Sequence, residues 1–134
     1  MNCVRKCTNI VMLKEQVDLL CKTGVVSKIN NSTQVFPCYI FIIMQKDKPR
    51  LIFDMKDLNE HISLRSCAYI TLKDILPELT RANWAAKVDL SSAYHHIPIH
   101  RDYKKFFSFC LNGQKYWFNG MPFGLSTAPY LLLV

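Results

Sequence analysis

The 134-residue sequence has few of the residues that interrupt regular structure, with four glycines and six prolines. Half of its residues are hydrophobic and 12% are aromatic. This composition excludes collagen-like, low-complexity and disordered chains. The length is sufficient for one sizeable hydrophobic core but not for two, so we expect one globular domain.

Acidic residues are also scarce, since ten aspartates and glutamates accompany 17 lysines and arginines, for a net charge of +7. The excess is five positive charges in residues 1–53 and two in residues 54–134. A basic chain favours an anionic partner such as a nucleic acid or a nucleotide. We expect the N-terminal part to face that partner.

No apolar run is long enough to cross a membrane. The longest, residues 35–44, has about half the length of a membrane-spanning helix and contains Pro37. The early apolar run at residues 10–13 is too short, and its flank too charged, for a signal peptide. We therefore expect no membrane partner, an intracellular location in the cytoplasm or nucleus, and six reduced cysteines.

The first half of the chain combines helical and strand patterns. Apolar residues in 12–23 have helical spacing, and a glycine follows as a stop signal. Residues 25–34 are polar and indicate a loop. Two β-prone runs, 38–44 and 50–55, predict a hairpin whose tip, residues 45–49, is basic.

The second half adds a helix, a strand and a hairpin before a last helix. A capping-box pattern at Thr71 predicts a short helix with Pro77 as a break, and residues 84–90 indicate a buried strand. Runs 105–111 and 114–118 predict a hairpin that turns at Asn112-Gly113, because both central residues of a type I′ turn need positive φ. A final helix is expected to be capped by Ser126 or Thr127, with Pro129 in its first turn.

The basic tip of the first hairpin is a candidate phosphate site. Lys46, Lys48 and Arg50 could converge on phosphates, with the guanidinium giving the directional contact. The alternative is that these are solvated turn charges.

Asp89 is a candidate metal ligand, since it follows an apolar run where the chain turns. Mg²⁺ takes one or two carboxylates together with substrate phosphates and several waters. The alternative is that Asp89 caps the following turn.

Residues 119–129 form a loop rich in glycine and proline that leads into a helix. Gly124 would allow a base or sugar to approach the backbone closely. The alternative is an ordinary loop between a strand and a helix.

The three segments occur together and in order, with Arg50 preceding Asp89 by 39 residues and Asp89 preceding Gly124 by 35. Their amino-acid sequences resemble the fingers and first palm motifs of reverse transcriptases, in particular retroelement enzymes of the DIRS and gypsy types. The motifs are Pro-Arg-Leu-Ile-Phe-Asp-Met-Lys-Asp-Leu-Asn, Val-Asp-Leu-Ser-Ser-Ala-Tyr-His-His-Ile-Pro-Ile and Met-Pro-Phe-Gly-Leu-Ser-Thr-Ala-Pro.

The resemblance implies an α+β fragment of a right-hand polymerase, with antiparallel hairpins and packed helices. Fingers would cover roughly residues 12–83 and the start of the palm roughly residues 84–134, before the catalytic Asp-Asp hairpin. Such an enzyme extends a primer on an RNA or DNA template with deoxynucleoside triphosphates, and Mg²⁺ or Mn²⁺ is its cofactor.

The resemblance also assigns roles to residues of the palm. Asp89 is similar to the first metal-binding, catalytic aspartate, with the Leu90 carbonyl as a second ligand. Tyr94 resembles the aromatic gate that packs under the incoming sugar and would clash with a ribose 2′-hydroxyl. Phe123 and Gly124 match the loop that shapes the nucleotide pocket and touches the template-primer.

At the tip, Arg50 with Lys46 or Lys48 would bind the triphosphate. This tip is shorter than the family's commoner Lys-Lys-Asp-Gly-Ser and lacks the glycine, so the choice of lysine stays open. Further along, Arg101, Lys104 and Lys105 form a basic cluster suited to template phosphates. We assign both tryptophans to the core.

Phosphoryl transfer of this kind uses two metal ions that stabilise the entering and leaving oxygens, which one carboxylate cannot hold. The 134 residues contain no Asp-Asp pair. We therefore expect the isolated chain to be inactive and marginally stable. Two alternatives are a non-catalytic nucleic-acid-binding remnant of a retroelement and a mere fragment of a gene.

Overall fold

The computed structural model describes Val4, residues 9–63 and residues 68–133. The helices are α1 (Ile10–Lys22), α2 (Lys56–Asn59), α3 (Leu72–Leu79) and α4 (Ala128–Leu133), with 3₁₀ turns at Ala93–His96 and Lys104–Phe106. The strands are β1 (Val26–Ile29), β2 (Pro37–Gln45), β3 (Lys48–Asp54), β4 (Ser108–Leu111) and β5 (Gln114–Phe118). None of the helices in these ranges is long and apolar enough to cross a membrane.

The five strands form one sheet in the order β1-β5-β4-β2-β3. Neighbouring strands are antiparallel, apart from β2 and β4, which pair in parallel with Pro37 opposite Ser108 and Cys38 opposite Phe109. This short parallel pairing joins the two hairpins into a single sheet. The expected α+β class with antiparallel hairpins is confirmed.

Helix α1 covers the sheet and confirms the predicted N-terminal helix. Its first turn is capped by Asn9, whose side-chain oxygen accepts hydrogen bonds from the next turn, and it stops before Gly24 at φ 76°. Leu13 and Val17 are fully buried on the sheet-facing side. The helix therefore closes one side of the core.

Aromatic rings from three strands fill the centre of the core. Phe53 meets Phe118 edge to face, with ring centroids 4.5 Å apart, and Phe109 lies 5.6 Å from Phe53. Phe109 stacks on Tyr116 of the neighbouring strand at 5.1 Å. Because these rings come from both hairpins, the core fixes the hairpins relative to one another.

Both hairpins turn through two residues with positive φ. Asn112 and Gly113 have φ of 49° and 79°, as the sequence predicts for a type I′ turn. In the first hairpin Lys46 and Asp47 have φ of 49° and 60°. The tip is therefore two residues long rather than the five expected, because β2 and β3 continue to the turn.

Two sequence predictions about strands are wrong. Residues 26–29 form β1 where a loop was expected, because pairing with β5 gives their backbone a ladder partner. Residues 84–90 form no strand, and every side chain in residues 68–92 is exposed. Trp84, expected in the core, is 93% exposed, whereas Trp117 is half-buried. An apolar run becomes a strand only where another strand pairs with it.

Helix α3 begins with the expected capping box at Thr71 and Asp74, and Pro77 lies inside the helix without ending it. Among the cysteines expected to be reduced, Cys21 carries a free thiol. Cys3, Cys7 and Cys67 lie outside the described residues.

Candidate nucleotide-binding site

Backbone pairing brings the second and third sequence motifs together. The Ile99 amide donates to the Asn119 carbonyl and the Met121 amide donates to the Ile97 carbonyl, each at 2.8 Å. Between them Pro98 and Gly120 form an isolated antiparallel bridge. The 3₁₀ turn Ala93–His96 is therefore held beside the loop that begins at residue 119.

Tyr94 and Phe123 meet at this junction. Their ring centroids are 5.2 Å apart and the rings are nearly perpendicular, at 83°. Tyr94 is half-buried and Phe123 is 46% exposed, so both rings lie at the surface and each is partly covered by other residues. The structure thus brings together two residues that the sequence had assigned to the same pocket.

Gly124 occupies a position that disfavours any side chain. Its φ is +100°, and an added Cβ would lie 3.3 Å from the Phe53 carbonyl oxygen and 3.7 Å from the Met55 side chain. The loop therefore lies close against the end of β3. Through this contact the third motif also reaches the strand that carries the basic tip.

The Asn59 side chain binds the same loop through two hydrogen bonds, which we call the Asn59 clamp. The sequence analysis did not identify this residue. Its side-chain amide donates to the Gly124 carbonyl at 2.9 Å, and its side-chain oxygen accepts from the Ser126 amide at 2.8 Å. The partners are 65 and 67 residues away in sequence, so no local pattern could reveal the contact. The only sequence signal was an asparagine at the end of the first motif.

An open cleft of about 530 Å³ adjoins this clamp. It mixes charged side chains with the backbone of the loop and of β3, so a polar ligand could enter it. Its lining residues are Phe53, Asp54, Met55, Lys56, Asn59, Glu60, Gly124 and Ser126.

The three basic residues of the first hairpin are exposed. Lys48 is opposite Gln45 and Arg50 opposite Ile43 in the β2–β3 register. Because side chains alternate along a strand, Lys48 and Arg50 share one face of β3, while Lys46 lies in the turn. The tip can present three cations to an anion.

Asp89 and Leu90 lie in the exposed stretch without regular secondary structure. Within residues 9–63 and 68–133, no three His, Cys, Asp or Glu side chains gather as a metal site. The candidate ligand Asp89 is therefore not part of a cluster of three such side chains in these ranges. The described residues do not make a complete metal site.

The three cations of the basic cluster at residues 101–105 differ in their surroundings. Arg101 is exposed and lies 3.4 Å from the Asp102 carboxylate, and the Lys105 ammonium lies over the Phe106 ring, 5.2 Å from its centroid. The Lys104 ammonium instead donates to the Asn119 side chain at 2.7 Å. Lys104 is thus used inside the fold, and the other two side chains face solvent.

Comparison with protein families matches residues 33–134 to the model of the reverse transcriptase (RNA-dependent DNA polymerase) family. The match covers well over half of the chain, and it contains all three motifs. This chain belongs to the reverse transcriptase family.

Individual relatives are retroelement proteins. The chain is 29% identical over 121 residues to the Retrovirus-related Pol polyprotein from transposon 412 of Drosophila melanogaster, covering 87% of this chain and 10% of that protein. It is 35% identical over 79 residues to the corresponding polyprotein from transposon gypsy of the same species, covering 59% and 8%. The chain spans about a tenth of the length of these relatives.

Solved structures share the fold. A foamy viral protease-reverse transcriptase in complex with dsDNA matches with a TM-score of 0.72 and 22% identity, covering 96% of this chain and 26% of that chain. The same kind of protein in complex with an RNA/DNA hybrid gives a TM-score of 0.72 and 21% identity, covering 97% and 18%. The α+β sheet described above is therefore the fingers and palm fold of a polymerase.

Proposed function

We propose that this chain carries the nucleotide-binding part of an RNA-directed DNA polymerase that extends a primer by two-metal phosphoryl transfer. The observation that carries the proposal is the contact between Tyr94 and Phe123, 5.2 Å apart and 29 positions apart in sequence. A partly exposed aromatic pair next to an exposed glycine is suited to a sugar and a base.

In this proposal Tyr94 packs under the deoxyribose and excludes a 2′-hydroxyl by steric conflict. Phe123 and Gly124 shape the pocket, and Asn59 holds their loop in place. Arg50, with Lys46 or Lys48, binds the triphosphate, since a guanidinium offers paired donors to phosphate oxygens.

Reverse transcriptases generally use divalent metal ions, which stabilise the entering and leaving oxygens. Asp89, with the Leu90 carbonyl, would supply one side of such a site. The exposure of Asp89 supports this role, because a ligand for a substrate-bound metal must remain accessible. The 134 residues contain no Asp-Asp pair, so we propose that they do not catalyse the reaction alone.

We further propose a nucleic acid template-primer as the partner. The foamy viral proteins of the same fold were solved in complex with dsDNA and with an RNA/DNA hybrid. In this chain the exposed cations Arg101 and Lys105 are available for phosphate contacts, and Lys104 could contribute only by leaving Asn119.

Titration of the purified chain with dATP and Mg²⁺ tests the triphosphate contact. Arg50→Gln should weaken binding by about tenfold or more, since a hydrogen bond to a charged group contributes about 1.5–3 kcal/mol. Lys28→Gln removes the same charge from an exposed side chain of β1, at the other edge of the sheet, and is the matched control. Equal losses for both variants would show a nonspecific charge effect and reject the tip as the phosphate site.

Primer extension on a poly-A template tests the absence of catalysis. The purified chain should add no nucleotides, with Asp89→Ala as the control for a contaminating polymerase. Extension by the natural chain that Asp89→Ala abolishes would reject the proposed inactivity.

A further inference from the structure

His95 lies beneath the candidate pocket, and no role has been assigned to it so far. Its ring centroid is 5.1 Å from that of Phe123, at an interplanar angle of 66°. Its Nε2 atom is buried and has no hydrogen-bond partner among the described residues. A buried imidazole nitrogen without a partner is costly, so the ring is held by packing rather than by a polar contact.

The backbone of His95 leaves its ring little freedom to withdraw. Its amide donates to the Ser92 carbonyl at 2.9 Å. A Cβ at Gly120 would overlap the His95 carbonyl oxygen, so the loop and the 3₁₀ turn are in direct backbone contact. The ring is therefore fixed between this backbone contact and Phe123.

The surroundings of the imidazole favour its uncharged form. The segments packed against its turn, residues 119–125 and α4, contain one titratable side chain, Tyr130, and the turn itself contains Tyr94 and His96. Burial, followed by the positive charge that His96 can carry, lowers the pKa of His95 below its ordinary value of 6.5. The imidazole is thus neutral at neutral pH.

We propose that His95 is a positioning residue whose uncharged ring holds Phe123 against Tyr94 and so keeps the pocket in shape. The inference rests on the proposed function, because it takes this pocket to be the nucleotide site. Protonation of His95 would place a positive charge among uncharged groups, and the Phe123 ring would then move away from the His95 ring. The pocket is consequently ordered at neutral pH and loses its shape in acid.

Fluorine NMR of the chain with 4-fluorophenylalanine at position 123 reports the environment of that ring. Between about pH 8 and pH 5 the fluorine resonance should move with the same midpoint as the His95 Cε1 proton, and that midpoint should lie below 6.5. A fluorine resonance that stays constant while His95 titrates would overturn the inference.

Two variants separate a positioning role from general stability. His95→Phe keeps an aromatic ring without a charge, so the fluorine resonance should no longer depend on pH. His96→Asn should preserve the pH dependence, because His96 is exposed. If His95→Phe retains the natural pH dependence, or if His96→Asn abolishes it, the inference is wrong.

Addition of dATP with Mg²⁺ at neutral pH distinguishes this inference from the proposed function. A change in the fluorine resonance on addition supports both. If the resonance follows His95 titration but ignores the nucleotide, His95 still positions Phe123, and the proposed nucleotide site is rejected.

Discussion

The sheet body, residues 9–63 and 93–133, and the exposed segment, residues 68–92, have similar apolar patterns and opposite burial. In the sheet body α1 buries Leu13 and Val17 completely. In the exposed segment α3 has apolar residues at the same helical spacing, yet Leu72 and Leu76 are 68% and 51% exposed. A pattern therefore indicates which face of an element can be buried, but burial itself requires a partner surface.

The same contrast separates the parts of the candidate site. Tyr94, Phe123 and Gly124 belong to the sheet body and contact one another or its core. Asp89 belongs to the exposed segment. The proposed nucleotide pocket thus lies within the sheet body, whereas the proposed metal ligand, Asp89, lies in a stretch whose side chains are all exposed.

Truncating one aromatic ring in each region should give the largest difference in stability between the two regions. Phe109→Ala should lower the free energy of unfolding by about 3–5 kcal/mol, because the ring is fully buried. Trp84→Ala should change it by less than about 0.5 kcal/mol, because this larger ring is exposed. Urea denaturation measures both. A substantial loss for Trp84→Ala would mean that the exposed segment packs in solution.

Two glycine substitutions distinguish a steric conflict from backbone strain within the sheet body. Gly120→Ala should cost about 1–3 kcal/mol or more, because its Cβ would overlap the His95 carbonyl oxygen, a backbone atom that cannot move aside alone. Gly113→Ala should cost about 1–2 kcal/mol from its φ of +79° alone, since nothing lies within 4 Å. The discriminating result is the NMR signal of Tyr94, which Gly120→Ala should shift and Gly113→Ala should not.

Removing the Asn59 side chain should loosen the pocket loop specifically. Asn59→Ala leaves the Gly124 carbonyl and the Ser126 amide without their partner and should cost about 1–3 kcal/mol. Asn59→Asp can still accept from Ser126 but cannot donate to Gly124, so it should give part of that loss. Hydrogen exchange at Ser126 reports the difference. Protection that survives in Asn59→Ala would contradict the clamp.

The smallest effect concerns pH in the exposed segment. The Thr71 amide and hydroxyl donate to Asp74, each at 2.7 Å, and these hydrogen bonds lower the pKa of Asp74 below its ordinary value of 3.8. The cap is therefore complete above pH 3.8 and is lost as the pH falls through the lowered pKa. NMR of Thr71 should show this local change, and Asp74→Asn should remove its pH dependence. A pH-independent Thr71 signal in the natural chain would disprove the cap.

Sequence reasoning succeeded where the structural cause is local. Asn112-Gly113 encodes its own turn, and Gly24 follows the end of α1 as predicted, whereas the Asn9 cap at the start of that helix was not predicted. It failed for residues 84–90 because the apolar run lacks a ladder partner in the described chain, and for β1 because that partner, β5, follows about 90 residues later.

In the candidate site, too, features with a sequence signal were predicted, and contacts between distant residues were not. The resemblance to reverse transcriptases implied that Tyr94, Phe123 and Gly124 belong to one pocket, and in the structure Tyr94 contacts Phe123 directly. The Asn59 clamp and the buried His95 nitrogen depend on contacts between distant residues, which no local spacing encodes.

Ribose discrimination by the purified chain tests the proposed nucleotide pocket most directly. With Mg²⁺ present, the chain should bind dATP about tenfold or more tightly than ATP, since Tyr94 would conflict with the 2′-hydroxyl. Tyr94→Phe should keep this preference because it keeps the ring, and Tyr94→Ala should lose it. Equal affinity of the natural chain for the two nucleotides, or a preference that survives in Tyr94→Ala, would contradict the proposed pocket.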